Sequence, residues 1–452
     1  MRNKQLLCVL LAGALCLSSA GCRAQGPAEP ERVTLVVKTP PIGLGNIPDV
    51  GEAEVYDMLT LAAQRFQAQY GRYDVEFDIS RYDYLDEQAQ LADKYGTDEA
   101  ADIFFAGSWN VPLYAKRGWL VPLDDVIDEE LRADIDASIW RQNAIDGQVY
   151  TMPFHQLQNT LMVNRTMMEA AGLEAYIPEG DSVAHWSTEE FDLICQGLAE
   201  SLTEENTFAF MMYAANNQGD SHIMTLLRAY GCTLYDEDGD FAVNTPEGIR
   251  ALAWIKEMDE KGITPKGAEN LELLDCVNLF YNGQLAMCVG NLTNLWDSRN
   301  RGLEVFAANF PDPSGVGYCA AGANGFCVFD NGDEAKIQAA KDFIRYLYTD
   351  AEVMKYTLGT LPVNKSIVER YGDDIWMLRA YGENTPNVVD NIRGSLNWQG
   401  VRDVFYPNIR DLLMGTRTPE EVAAAIDERC NAALEQGRTS LDRPEKQNRN
   451  GG

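Results

Sequence analysis

The sequence predicts an α/β protein built as two lobes, each a sheet covered by helices. Three observations carry this expectation. Strand-like runs alternate with helix-period segments over residues 33–106. The alternation resumes beyond Pro153. At 452 residues the chain is also long enough for two or three ordinary domains with sizeable cores.

Val33-Thr-Leu-Val-Val-Lys38 reads as a buried first strand, followed by a Pro/Gly-rich loop over 39–51. Val55, Met58, Leu59, Ala62, Phe66 and Tyr70 recur at helical spacing, with Gly71 placed to stop the helix. Val75, Phe77 and Ile79 alternate as in a second strand, a polar helix follows over 86–95, and Asp102-Ile-Phe-Phe-Ala106 supplies a third strand. Strands alternating with helices imply a largely parallel sheet. In the second half, Ser187 with Glu190 forms a capping-box signature for a helix. Thr245-Pro246 marks the start of another, running to 260. Further elements are expected at 285–289, 334–348, 362–366 and 419–434.

Composition narrows the function. Against 37 Lys+Arg stand 69 Asp+Glu, a formal net charge of −32. So acidic a surface repels phosphate backbones, which argues against a nucleic-acid partner. Residues 1–21 read as a signal peptide: Arg2 and Lys4 precede an apolar run over 6–17, too short for the ~20 residues of a membrane-spanning helix. Ser18-Ser19-Ala20-Gly21-Cys22 resembles a bacterial lipobox, with Ser19 where Leu is usual. That resemblance implies lipidation at Cys22 and a protein anchored to the cell membrane on its extracytoplasmic face. Ordinary cleavage near Ala20 is the alternative. Residues 22–31 then form a linker. Seven further cysteines at irregular spacing make neither a disulfide framework nor a zinc site. They are expected to act as small buried hydrophobes.

A run of motifs then resembles family 1 extracellular solute-binding proteins. These are Ala101-Asp-Ile-Phe-Phe-Ala-Gly-Ser108, Tyr114-Ala-Lys-Arg-Gly-Trp-Leu-Val-Pro-Leu-Asp-Asp125, Gly147-Gln-Val-Tyr-Thr-Met-Pro-Phe154, Phe280-Tyr-Asn-Gly-Gln-Leu-Ala-Met287, Leu361-Pro-Val-Asn-Lys365 and Thr418-Pro-Glu-Glu-Val422. The resemblance implies the type II periplasmic-binding-protein-like fold, in which two α/β lobes close on a solute that passes to an ABC import permease. It implies three crossings between lobes, placed near Pro153, Pro313 and Asp350. Lobe 1 is then 32–153 plus 313–350 and lobe 2 is 154–312 plus 351–438, with 439–452 a disordered tail. It also implies a monomer with a carbohydrate ligand, no cofactor, no metal and no catalytic role.

Ligands of α/β sheets bind beyond the C-terminal ends of strands, and sugars need aromatic faces beside amide groups. Asn397-Trp398-Gln-Gly-Val-Arg402 resembles the segment whose tryptophan stacks on sugar in maltose-binding members of the family, so Trp398 is the leading candidate. A core position is the other reading of that residue. Trp109 follows the third strand; His155, Gln156 and Gln158 follow the first crossing. Asn216 and Asn217, and Asn291 and Asn294 with Trp296, sit in amide-rich loops, and Thr39 and Tyr82 end the first two strands. Asp236, Asp238, Asp240 and Glu247 match part of a calcium-loop count, but Phe241 stands where the loop needs Gly. A hairpin turning at Asp238-Gly239 fits better. No nucleophile, zinc-protease or phosphate-loop motif occurs. Rival readings are the same fold with a non-sugar solute, an orphan sensor for a membrane kinase, and a carbohydrate-active enzyme.

Overall fold

The computed structural model describes residues 30–83, 86–107, 109–217, 220–320, 322–392 and 394–441. The signal peptide and Cys22 lie outside the described residues.

In the first lobe, β1 (Arg32–Thr39) is followed by a hairpin of β2 (Gly43–Ile47) and β3 (Gly51–Glu54), where the sequence predicts only loop. The helix Val55–Gln67 buries Val55, Met58, Leu59, Ala62 and Phe66, the stripe its periodicity predicts. It ends before Gly71. Tyr70 instead stacks on Phe66 at 4.3 Å and donates from Oη to Asp342 Oδ2 at 2.7 Å, so tertiary contacts turn the chain earlier. β4 (Asp74–Arg81) and β5 (Ile103–Ala106) follow. The polar segment between them forms one short turn of helix, Glu87–Gln90, and a 3-10 turn, Ala92–Lys94. A small hairpin of β6 (Ala144–Ile145) and β7 (Gln148–Val149) leads into β8 (Met152–Gln156).

The second lobe holds β9 (Thr160–Asn164), β10 (Phe208–Phe210), β11 (Leu285–Gly290) and β12 (Val305–Ala308). They form one sheet in the order β10-β11-β9-β12. Ser187 caps the helix Thr188–Ser201 through the expected box, its Oγ accepting from Glu190 N at 3.2 Å while Glu190 Oε2 accepts from Ser187 N at 2.8 Å. Thr245 caps the helix Pro246–Glu260 with Pro246 in its first turn, also as expected.

The chain then returns. β13 (Cys319–Ala320) bridges the lobes, β14 (Ala323–Val328) re-enters the first sheet, and β15 (Leu361–Pro362) joins it at the edge. β16 (Val388–Val389) pairs in parallel with β13. The first sheet thus runs β15-β8-β14-β5-β1-β4. It is mixed, not largely parallel. β1 is parallel to β4 and β5, whereas β14 is antiparallel to β5 and β8, and β15 is antiparallel to β8. Strand direction follows from the returning connections, which alternation cannot register. β15 lies beyond Asp350, so the chain still belongs to the first sheet where the third crossing was expected. At Gly325, where the β8–β14 register shifts, a Cβ would stand 1.9 Å from the Met152 carbonyl oxygen. Only glycine allows that approach.

Two further details depart from expectation. The helix Pro419–Ser440 outlasts its predicted end and takes up residues assigned to the tail. The 236–243 turn keeps Gly239 at φ 83° but forms a single bridge, Tyr235 to Phe241, instead of a strand pair. The N–H groups of Phe241 and Val243 donate to Asn431 and Asp427 of that long helix, both at 2.7 Å, so the segment packs on the helix. Asp236 Oδ1 accepts from the N–H groups of Asp238 and Asp240, both at 3.0 Å, closing the turn.

One core fills the second lobe, and two smaller ones pack on the first lobe's sheet. The seven described cysteines are buried. Burial pushes the Cys276 and Cys327 thiols up to about 12. Among the described residues, no helix is long and apolar enough to cross a membrane.

Candidate ligand-binding cleft

β1 runs parallel to β4 and β5, so their C-terminal ends lie on one side of the first sheet, and Trp109 lies just past β5. Its neighbour Asn110 is fixed by the buried Glu87, which accepts from Asn110 Nδ2 at 2.9 Å. Burial raises the Glu87 carboxyl, and the bonds from Asn110 and from Tyr114 oppose that rise.

Half-buried Trp109 packs against the core of the second lobe. Over its ring, 5.1 Å from the centroid, lies the guanidinium of Arg402, a cation–π distance. Arg402 belongs to the helix Trp398–Leu413, and its Nη2 donates to the Asn217 carbonyl at 2.8 Å. Asn217 Nδ2 in turn donates to Asp403 Oδ1 at 3.4 Å. Trp109, Asn217 and Arg402 therefore meet where the lobes touch. Trp398, four residues before Arg402, shares its helix face. Yet Trp398 is only 3% exposed and belongs to the second lobe's core.

Beside this contact lies a cavity of about 670 Å³. Val111, Pro112, Ser138 and residues 141–146 wall it on the first lobe, and Pro386, Val388, Asp390 and Ile392 face them from the second. Two amide oxygens of its wall residues, Gln142 Oε1 and Asn143 Oδ1, are buried and meet no hydrogen-bond donor among the described residues.

Other predicted residues do different work. Gln156 and Gln158 belong to a buried polar network at the hinge. Gln158 Nε2 donates to the Tyr381 carbonyl and to Gln156 Oε1, both at 2.9 Å, while Gln158 Oε1 accepts from Asn384 Nδ2 at 3.2 Å. His155 is buried alongside, its Nε2 3.2 Å from Asn324 Nδ2 and its Nδ1 without a partner. Asn291 and Asn294 are committed to a reciprocal capping box at the start of the helix Leu292–Asn300, each side-chain oxygen accepting the other's N–H at 3.2 Å. Trp296 Nε1 donates to the Trp376 carbonyl at 2.8 Å. Tyr82 Oη donates to the Phe105 carbonyl at 3.1 Å inside the first lobe, and Thr39 Oγ1 to the Pro40 carbonyl at 3.0 Å. Asn216 is half-buried beside Asn217. Sequence reasoning missed Arg402, Gln142 and Asn143. The i, i+4 spacing from Trp398 was the available signal for Arg402; nothing in the sequence marked the other two.

Burial pushes both His155 and His222 down to about 4, with Tyr213 Oη 2.9 Å from His222 Nδ1. Unfolded, each imidazole titrates near its ordinary 6.5. Between about 4 and 6.5 the unfolded chain therefore binds more protons, and stability falls as pH drops through that window. His155→Gln is expected to lose less stability than the wild type between pH 7 and pH 4.5, measured by denaturant midpoints. An equal loss would show that His155 is not a buried neutral group.

Comparison with known proteins places this geometry in context. The family model described as bacterial extracellular solute-binding protein matches residues 52–354. The diacetylchitobiose binding protein DasA of Streptomyces coelicolor is 25% identical over 225 residues, which are 49% of this chain and 47% of DasA. The match thus spans about half the length of that relative. Among solved structures, the cyclic alpha-maltosyl-1,6-maltose binding protein of Arthrobacter globiformis aligns with TM-score 0.72 at 21% identity, over 90% of this chain and 100% of that one. The sugar-binding protein MalE of Xanthomonas citri aligns with TM-score 0.73 at 17% identity, over 91% and 100%. These likenesses establish the two-lobed α/β fold.

Proposed function

The chain belongs to the bacterial extracellular solute-binding protein family, and on that premise we propose that it captures a carbohydrate between its lobes and delivers it to an ABC import permease. The observation that carries this reading is the cavity of about 670 Å³ walled by both lobes. That volume lies within the range of small-molecule sites, which favour domain junctions. On the cavity's wall Asp390, Gln142 and Asn143 offer hydrogen bonds to hydroxyls, and Trp109, two residues before the wall residue Val111, offers an aromatic face for the C–H side of a sugar once the Arg402 guanidinium over it moves aside. The sugars its relatives are named for give the first compounds to try, diacetylchitobiose and maltodextrins.

In this reading the protein performs capture and no reaction, needs no cofactor or metal, and works as a monomer. Cys22 holds it to the outer face of the cell membrane through lipid, because one short targeting run cannot anchor it after cleavage. The lobe assignments follow the two sheets, with crossings after β8, β12 and β15.

A thermal-shift screen over maltose, maltotetraose, diacetylchitobiose and ribitol tests the reading first, because a ligand at 100 times its dissociation constant adds about 2.7 kcal/mol. Trp109→Ala is expected to weaken the best binder at least tenfold while the chain still folds cooperatively, since truncating an aromatic anchor costs about 2 kcal/mol. Trp398→Ala is expected to cost about 3–5 kcal/mol of stability as well, in keeping with its burial. Full affinity in Trp109→Ala, read by titration calorimetry, would remove the ring from the site. Separately, Cys22→Ala is expected to move the mature protein from the membrane to the soluble fraction, and retention on the membrane would contradict the lipid anchor.

A further inference from the structure

Asn143 closes the helix Ala137–Gln142 as its C-terminal cap. Its backbone N–H reaches the Ile139 and Trp140 carbonyls, both at 3.2 Å, and its side-chain Nδ2 donates to the Ile139 carbonyl at 2.8 Å. A backbone carbonyl only accepts, so this bond fixes which way the amide points. Nδ2 faces the helix and Oδ1 faces away from it. Asn143 is 4% exposed, and its Oδ1 meets no donor among the described residues.

The residue lies at a junction of two spaces. Gln142, Asn143, Asp390 and Ile392 line both the large cavity and a recess of about 20 Å³. Gly322 and Ala323 complete the recess on the first lobe's side, and Ser221 and Asn391 close it from the second. About one hydroxyl group or one water fits such a volume. The far wall is held firmly, because Asn391 Nδ2 donates to the Ser221 carbonyl at 2.9 Å and to Thr225 Oγ1 at 3.0 Å. A buried acceptor without a donor is a standing cost, and an O–H or N–H entering the recess removes it.

We propose that Asn143 determines specificity in this cleft: its Oδ1 accepts a hydrogen bond from a hydroxyl or N–H at the inner end of the bound carbohydrate, and that group occupies the recess between the lobes. The proposal rests on the carbohydrate reading and deepens it. Its chemistry is selective. A neutral sugar or polyol end presents the donor that Asn143 lacks, whereas a carboxylate or phosphate end presents only acceptors and leaves the buried oxygen opposed. Both lobes wall the recess, so the same hydroxyl is enclosed only when the lobes are together.

Titration calorimetry with maltose, maltotetraose, diacetylchitobiose and ribitol, and with monodeoxy analogues of the tightest of them, tests this on three proteins. The wild type is compared with Asn143→Leu, which removes the acceptor, and with Gly322→Ala. The added methyl of the latter would stand 3.3 Å from Gln142 Oε1 and fills part of the recess without altering Asn143. Melting curves check each fold, and Gly322→Ala carries the test if Asn143→Leu does not fold. Both variants are expected to bind the neutral sugar about tenfold more weakly or worse. One monodeoxy analogue is expected to lose as much on the wild type and nothing further on Asn143→Leu. Unchanged affinity in either folded variant, or no sensitive monodeoxy analogue, overturns the role of Asn143 and leaves the carbohydrate reading standing. Failure of every compound to bind the wild type overturns both.

Discussion

Polar side chains shut away from water must find partners within the protein, and at the junction of the two lobes this rule governs the fold. The link from β8 to β9 carries Gln158, buried against a carbonyl and two side chains from the 381–385 segment. Asn309, at the start of the second link, exchanges hydrogen bonds with Asn384, each at 2.9 Å. The chain segments passing between lobes are thus stitched to one another by amides. Shifting one segment by a residue would break several buried bonds at once. A hinge so built is well defined in position, yet it holds the lobes by short connections that permit rotation.

Beyond the hinge the second lobe's core reaches Leu361 of the first sheet, and the lobes also meet through aromatic and charged side chains. Trp109 reaches across from one lobe and Arg402 from the other. The cavity beside them borrows a wall from each. Such a cavity exists only at one relative orientation of the lobes, so whatever fills it favours that orientation. In the proposed function binding and closure are then one event, as in hinge-bending receptors generally.

The first lobe's early strands and helix were legible because their apolar spacing is regular. Val33, Leu35 and Val37 alternate, and Met58, Leu59, Ala62 and Phe66 recur with a helical period. The 43–54 hairpin was not legible, since its glycines and short polar run look like loop until the chain pairs with itself. Nor was the antiparallel half of the first sheet, which depends on where a distant segment returns. Amide side chains proved the least legible of all. Asn217 bonds to Arg402 and Asp403 of the helix Trp398–Leu413, Asn291 and Asn294 cap a helix, Gln158 stitches the hinge, and Asn143 keeps a buried oxygen that meets no donor among the described residues. One chemistry serves four purposes, and only burial and partners distinguish them. Tryptophan behaved similarly: Trp398 has the sequence setting of a sugar platform and the burial of a core residue.

The central claim is that the two lobes rotate about the hinge to enclose a sugar. Small-angle X-ray scattering of the mature protein, alone and saturated with its tightest carbohydrate, measures this most directly. The account predicts a smaller radius of gyration in the bound state, with a profile matching lobes held in contact at Trp109 and Arg402. An identical profile at proven saturation would contradict it.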